Sequence, residues 1–564
     1  MTVRHSRRLL RLLALLLCLL LVPGAACGAK SAAPAEIRVC LRRLNITDQV
    51  WMTLTGRYLA RAAGGSELLL PENEEVSVFL RDGKLVLFCS GISFSAGKKL
   101  TLLRLRESED EPGIRFNLQP GFYPGDLALS VKDGAILPVL TLPLETYLQG
   151  VVPYEMSDSF PPEALKSQAV CARTYAISKL DPSADWDVVD TTNDQVFKGL
   201  LPENKNTEAA VTDTKGLVLT YRGKLITAWY SASNGGQTEL PQHVWGGKNV
   251  PACFQMTDDP WDAENPASLT RTAELKKDGS GFSAAFLRLV REALQGEKEL
   301  DGFRLDEGAV IRVDALRDLS LTSPRYKKPS RLMTKMEFTV DLSAEQKAGS
   351  TPVPEGVDAA PETQAEPVLV PAGTFPVTLD LFPGVISALG LSISGEDNEI
   401  VTLAESEDAW TLTSGRFGHG VGMSQRGAQY QAQKDGKTFR EILDFYYPGA
   451  VLKPYAGEPA PLPTPDPALA DPPGPVPTAT PRPTLMPVTG ELPEGAWLAS
   501  VEGIDDDSSL NLRAAPSPGA EILMRIYKHQ KLVVLENAEV EGWVKVRTDA
   551  AEGYVMFSFL EKAR

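Results

Sequence analysis

Val151-Val152-Pro153-Tyr154-Glu155-Met156, about one quarter of the way along the chain, and Gly415-Arg416-Phe417-Gly418-His419-Gly420-Val421-Gly422-Met423-Ser424-Gln425, about three quarters along, are its two most unusual stretches. The second does not read as a packed strand. Each glycine gives up side-chain packing and is favoured where backbone bends sharply or comes close to another group. Glycines set densely around a His and a Ser-Gln pair therefore mark a site. The first stretch closes a helical pattern that starts at Pro143, with Leu144, Leu148 and Val151 on one face. After Phe160-Pro161-Pro162 a second helix is expected to run to about Leu180. On it Leu165, Ala169, Ala172, Ala176 and Leu180 make a narrow small-residue face, while Gln168, Cys171 and Tyr175 fall on another.

Outward from these helices the pattern turns to strands. Residues 36–135 read as a β-rich module with at least one hairpin, Glu75–Leu80 and Lys84–Leu87 across Asp82-Gly83. A second hairpin is expected from Gly216–Tyr221, the Arg222-Gly223 turn and Leu225–Tyr230, delivering Ser231-Ala232-Ser233-Asn234-Gly235-Gly236 at its end. A helix around Phe282–Leu294 and strands near Val310–Val313 and Met336–Val340 follow. The Pro-, Ala- and Glu-rich stretch 343–371 reads as a flexible insertion. A Pro-rich tract within 456–493 reads as an extended spacer of about 3.1 Å per residue, setting the last residues apart as their own all-β domain. The fold class is α+β. The expected partition is 1–27, 36–135, 136–455, the linker 456–493, and 494–564.

Composition narrows the function. The 564 residues carry a formal net charge of -16, with no basic cluster beyond the extreme N-terminus, which argues against nucleic acid. Arg4, His5, Arg7, Arg8 and Arg11, then the apolar run Leu12–Val22 and Gly24-Ala25-Ala26, form an export signal. Cleavage, retention as a membrane anchor and lipid modification at Cys27 are three open fates for it. Cys40 and Cys89 sit in strand-like runs, where two buried thiols are favoured over a bridge. Neither Cys171 nor Cys253 has a CxxC partner or a His at ligand spacing, so no metal or other cofactor is expected.

The segments Leu142–Met156 and Glu163–Ala176 resemble the SpoIID/LytB family, the stage II sporulation protein D group. Further landmarks follow in the family's order: Asp190-Thr191-Thr192-Asn193-Asp194-Gln195-Val196-Phe197, Tyr230–Thr238, the Gly-His-Gly run, and Ile442–Gly449. The resemblance implies a SpoIID-like core that cleaves peptidoglycan glycan strands as a lytic transglycosylase in the sporulation members, and a wall-bound, non-enzymatic amidase activator in the LytB members. It places Glu155 at the family's catalytic acid. Some sporulation members resemble zinc proteins with Cys and His ligands in the segment corresponding to 181–199, where this chain has neither. The tail Leu510–Pro518 with its terminal Gly553-Tyr554-Val555 resembles a bacterial SH3 domain, implying a wall-binding module.

The chemistry asks for one carboxyl. Ordinary glycosidases use two, but when the muramic acid's own 6-hydroxyl attacks, one group can give a proton to the leaving oxygen and then take one from the hydroxyl. The uncharged neighbours of Glu155 provide the desolvation that favours a protonated acid. Candidate substrate contacts are Gln168, Arg173, Tyr175, Ser233, Asn234, His419, Ser424 and Gln425. For His419 the alternative is holding a tight turn, for Ser424 a helix cap, and for Ser233 and Asn234 a turn. The expected partners are peptidoglycan strands and a cell-wall amidase, at an extracellular, wall-associated location with membrane anchoring through the N-terminus as one of the open fates.

Overall fold

The computed structural model describes residues 36–105, 112–117, 119–347, 368–455, 496–502, 509–517, 520, 522–527, 531–537, 540, 542–548 and 552–562. The expected export signal, the Pro-rich linker and the middle of the flexible insertion lie outside the described residues. The rest groups into two compact units, 36–150 with Asp181–Glu203 and 496–562, and Val151–Leu180 with 204–455.

In the first unit the strands are β1 (Glu36–Cys40), β2 (Gln49–Thr55), β3 (Tyr58–Ala62), β4 (Glu67–Leu70), β5 (Glu75–Arg81), β6 (Lys84–Cys89), β7 (Ile92–Gly97), β8 (Lys99–Arg104), β9 (Gly113–Phe116), β10 (Asp126–Lys132), β11 (Ala135–Pro143) and β12 (Val188–Val189). They form a seven-stranded sheet, β12-β1-β11-β10-β8-β3-β4, and a five-stranded one, β7-β6-β5-β2-β9. The expected Asp82-Gly83 hairpin is present, with Arg81 opposite Lys84 and both turn residues at positive φ, 49° and 70°. That geometry suits the right-handed twist of the strands. Cys40 and Cys89 are buried free thiols.

Helix α1 (Leu144–Glu155) follows β11 directly. Gly150 inside it would be unfavourable without a reason. A Cβ there would sit 2.4 Å from the Phe197 ring, and that ring packs 5.2 Å from Tyr147, whose hydroxyl donates to Gln195 Oε1 at 3.3 Å. The Asp190–Phe197 landmark is thus a clamp on the first turns of α1. Pro153 removes one late backbone donor, and the helix ends two residues on, at Glu155.

The second unit centres on α2 (Pro162–Ser178), which packs against α3 (Lys205–Asp213), the strand β13 (Leu217–Tyr221) and two later helices. The two expected faces of α2 do not divide core from solvent, because Ala164, Leu165 and every residue from Ser167 to Ile177 are buried. Neighbours on all sides turn an amphipathic pattern into a central helix. The hairpin after β13 is shorter than expected: β14 is only Lys224–Leu225, and Tyr230–Ser231 forms β15 with a distant partner. α4 (Pro260–Glu264) follows, then a subdomain made of β16 (Arg271–Lys276), α5 (Ala284–Ala293), β17 (Ile311–Pro324), β18 (Met333–Glu345), β19 (Leu369–Asp380), β20 (Ile400–Glu405) and β21 (Ala409–Gly415). Residues 343–345 and 369–371 of the expected flexible insertion are paired strand, with Glu345 opposite Leu369. β22 (Met423–Ser424), α6 (Gln425–Asp435), α7 (Phe439–Tyr446) and β23 (Val451–Pro454) complete the unit.

The C-terminal module is all-β. β24 (Trp497–Val501), β25 (Ser509–Arg513), β26 (Ile522–Tyr527), β27 (Lys531–Asn537), β28 (Trp543–Arg547), β29 (Glu552–Met556) and β30 (Leu560–Lys562) form one seven-stranded sheet, β26-β25-β29-β28-β27-β24-β30. Its core includes Val501, Leu512, Leu532, Val534, Val546 and Val555. Among the described residues no helix is long and apolar enough to cross a membrane.

The subdomain between β16 and β21 has its own core, in which the Phe286 side chain is fully buried and stacks 6.1 Å from Phe338. Replacing Phe286 with Ala is expected to destabilise this unit by about 3–5 kcal/mol. Guanidinium denaturation measures it, and a loss below about 1 kcal/mol would show that this core is not close-packed.

Candidate active site

Two segments almost 200 residues apart are joined by a parallel pair, Tyr230 opposite Met423 and Ser231 opposite Ser424. Bridges between Ser233 and Phe417 and between Glu239 and Val421 extend the contact. Glycine permits this closeness. A Cβ on Gly422 would lie 2.0 Å from the Trp229 carbonyl oxygen, and one on Gly420 would lie 2.9 Å from Arg416 Nε. Gly418, Gly420 and Gly422 all have positive φ, at 103°, 73° and 71°. The Asn234-Gly235-Gly236 turn is closed by Gly236 N–H donating to Asn234 Oδ1 at 2.9 Å.

Beneath the joined segments lies a buried acidic pair. Asp262 Oδ2 accepts from Ser233 Oγ at 2.9 Å and Gly236 N at 3.1 Å, and its Oδ1 accepts from Ser424 Oγ at 2.7 Å. Asp259 Oδ2 accepts from Asn234 Nδ2 at 2.8 Å and Tyr446 Oη at 2.7 Å, and Oδ1 from Asp262 N at 3.1 Å. Burial pushes the Asp259 carboxyl up to about 6, with the Asp262 charge adding to it and the Tyr446 and Asn234 hydrogen bonds opposing. Burial likewise raises Asp262, against the bonds from Ser424 and Ser233. Arg416 is buried beside them, with Nε donating to the Asn234 carbonyl at 3.1 Å, Nη2 to that of Gln237 at 3.0 Å, and Nη1 reaching Glu239 Oε2 at 3.4 Å. Burial lowers the Arg416 pKa and Glu239 opposes the shift.

This network shows how the residues singled out in the sequence are arranged. Ser233, Asn234 and Ser424 converge on Asp259 and Asp262. Ser424 also caps α6, accepting from Gly427 N at 3.0 Å. Its neighbour Gln425 donates through Nε2 to Gln168 Oε1 at 3.4 Å, joining α6 to α2. His419 Nδ1 accepts from Val421 N at 3.0 Å and the ring also bonds the Tyr230 backbone, which is the geometry of a turn-holding histidine. Burial, then the Arg416 charge, lowers its pKa to about 4, so it is neutral at pH 7. Arg173 is not brought to this cluster: it is fully buried, with Nη1 on Thr214 Oγ1 and the Ala169 and Leu217 carbonyls and Nη2 on the Val211 carbonyl, tying α2 to α3 and β13. Tyr175 lies near the end of α2 with Lys179 Nζ 5.0 Å over its ring. Glu155 is half-buried at the end of α1. Met156, the next residue, belongs to the core that holds Val421 and Met423 of the Gly-His-Gly run.

Several residues escaped the sequence reading: Glu239, Asp259, Asp262, Arg416 and Tyr446. The available signal was Asp258-Asp259-Pro260, an acidic cap before a helix-opening proline, which the structure shows with Asp259 accepting from Asp262 N. Trp245 was also missed. It is half exposed, stacks 5.0 Å from Trp229 and meets His419 edge-on at 4.9 Å, forming an aromatic shelf over the joined segments. A zinc site of the kind some sporulation members resemble does not fit: 181–199 hold no Cys or His, and among the described residues no three His, Cys, Asp or Glu side chains converge.

The chain thus joins an α+β core, in which two glycine-rich segments are locked over buried carboxylates, to a small all-β module that follows it in sequence. Residues 132–221 match the family model described as Stage II sporulation protein, and residues 508–560 match that of the Bacterial SH3 domain. The chain carries a SpoIID domain and a bacterial SH3 domain. It is 33% identical over 321 residues to the amidase enhancer of Bacillus subtilis, covering 55% of this chain and 40% of that protein. It is 27% identical over 331 residues to stage II sporulation protein D of the same organism, covering 56% and 75%. An uncharacterized protein of Brachyspira hyodysenteriae is 29% identical over 359 residues, covering 61% and 77%. The chain thus spans less than half of the amidase enhancer.

Removing the Asp262 carboxylate strands the two buried hydroxyl donors of Ser233 and Ser424 and leaves Gly236 N–H only its bond to Asn234. Asp262→Ala is expected to cost about 3 kcal/mol or more, and Asp262→Asn less, since one acceptor oxygen remains. Chemical denaturation of the two variants checks this. For His419, the unfolded chain takes up a proton near pH 6.5 and the folded chain only near pH 4. The stability held by a neutral His419 is therefore complete above pH 6.5 and is lost as pH falls toward 4. Thermal melts should show His419→Gln losing less stability than the parent over that interval.

Proposed function

We propose that this chain is an exported, wall-directed protein whose core cleaves peptidoglycan glycan strands without water, as a lytic transglycosylase. The observation that carries the reading is the place of Glu155: inside the segment matched by the Stage II sporulation protein model, half-buried at the end of α1, with Met156 set in the core beneath the Gly-His-Gly run. Glu155 gives its proton to the glycosidic oxygen as the C1–O4 bond breaks. The 6-hydroxyl of the same muramic acid then attacks C1, and the Glu155 carboxylate takes the hydroxyl proton. A 1,6-anhydro ring forms and the carboxyl is restored, so no proton or water is consumed overall. The buried network fixes the backbone on which a sugar would lie, and the exposed face of Trp245 provides a surface for a pyranose ring. The SH3 module holds the enzyme to its insoluble substrate and raises the local concentration of strands.

A second reading is favoured by the likeness to the amidase enhancer: a wall-bound protein that stimulates an amidase and cuts nothing itself. One experiment separates the two. Purified protein and Glu155→Gln are incubated with intact peptidoglycan and with peptide-free glycan strands, and products are read by mass spectrometry. The transglycosylase reading expects 1,6-anhydromuramic ends from the parent and a fall of about 10²–10⁴-fold in the variant, with wall binding retained. Absence of cleavage together with faster wall hydrolysis by an added amidase would replace it with the second reading.

A further inference from the structure

The five-stranded sheet of the first unit buries Val50, Met52, Leu54, Val76, Val78, Leu85 and Leu87 on its inner face. Strand alternation therefore puts Trp51, Phe79 and Phe88 on the outer face, where polar side chains are the norm. Trp51 meets Phe79 edge-on at 5.6 Å, and Phe79 meets Phe88 in the same way at 5.6 Å. The Arg81 guanidinium lies 5.5 Å over Phe79 and 5.1 Å over Phe88, so it covers the far end of this row. Trp51, at the near end, is 36% exposed.

Trp51 borders a cleft of about 290 Å³ whose other walls include Asn45, Thr47, Asp48, Gln49, Asn117 and Gln119. Backbone bonds hold these walls in place: Asn117 N–H to the Trp51 carbonyl at 3.0 Å, Leu80 N–H to that of Asp48 at 2.7 Å, and Ile136 N–H to that of Thr47 at 2.7 Å. The cleft is thus preformed, with Trp51 as its exposed aromatic surface alongside buried Phe116 and Val50, and amide and hydroxyl groups among its walls.

Such a lining selects by chemistry. Among the described residues no Lys or Arg lines the cleft and Asp48 does, which disfavours a polyanion. β2 is paired on both sides, to β5 and to β9, so its backbone offers no ladder to an extended peptide. A pyranose has an apolar C–H face and a rim of groups that both donate and accept, which matches an indole face ringed by amides.

We propose that this cleft binds N-acetylated glycan, one sugar ring stacked on Trp51 and its hydroxyl and acetamido groups bonded to the amide walls. The choice of an amino-sugar polymer rests on the wall-directed reading above; the cleft itself is independent of Glu155. It would act as a second handhold on the strand, adding avidity without taking part in cleavage.

The test is isothermal titration of the full chain carrying Glu155→Gln, so that nothing is consumed, with a soluble β-1,4-linked N-acetylglucosamine oligomer. Trp51→Ala is expected to weaken binding about tenfold, Trp51→Phe to recover most of it, and Asn117→Ala to give a smaller loss. Melting temperatures should match the parent's, since both side chains are at the surface. Equal affinity for parent and Trp51→Ala, or no binding by the parent, would overturn the cleft while leaving the Glu155 reaction to be judged by its own products.

Discussion

A carboxylate removed from water must find donors, and in this protein the donors of one carboxylate come from segments that are far apart in the chain. Asp262 accepts from Ser233, Gly236 and Ser424, and Asp259 from Asn234 and Tyr446. Leaving such a group unsatisfied costs several kcal/mol. The Asn-Gly-Gly turn, the Gly-His-Gly run and α7 are therefore held in one arrangement. Arg416 adds a buried positive charge and bonds the carbonyls of Asn234 and Gln237.

The glycine runs are the geometric counterpart of this electrostatic demand. Backbones can approach the acids closely only if nothing projects between them, and the Trp229 carbonyl and the Arg416 side chain occupy the space that side chains on Gly422 and Gly420 would need. The motif that reads in sequence as a site also serves as a packing device. His419 fits the same account, since its ring bonds backbone on two segments and stays neutral.

What could be read from sequence was local. The α1–α2 pair, the Asp82-Gly83 hairpin and the strands of the C-terminal module follow from periodicity and turn residues within a few positions of one another. The early end of β14 was not legible, because Tyr230 and Ser231 leave the hairpin for a pairing set almost 200 residues later. Asp259 and Asp262 were invisible for a related reason: a carboxylate in a polar stretch looks like a solvated one until its burial is known. Arg173 shows the converse. A charged residue beside a motif suggested substrate, yet its guanidinium is used up on carbonyls of its own unit. The role of Gly150 depended on Phe197, which no helical period reveals.

The pairing of β16 with β21 brings Arg271 opposite Ser414, although more than 140 residues separate them. Chain that leaves the core at one strand returns beside it on the next, so the excursion closes on itself at a separation of about 5 Å. Loop-closure entropy grows only slowly with length, but the excursion also touches the core between its ends: Arg331 donates to Gln237 Oε1 and the Gly236 carbonyl, Tyr326 stacks on His243, and Asn398 donates to the Gly418 carbonyl. The region between β16 and β21 is thus fastened at its two ends and at a few interior points, and its remaining surface is where added chain would meet least resistance. An insertion there would leave the register of the buried acids alone only if it spared Tyr326, Pro329, Arg331 and Asn398, which reach back to His243, Gln237, the Asn-Gly-Gly turn and the Gly-His-Gly run.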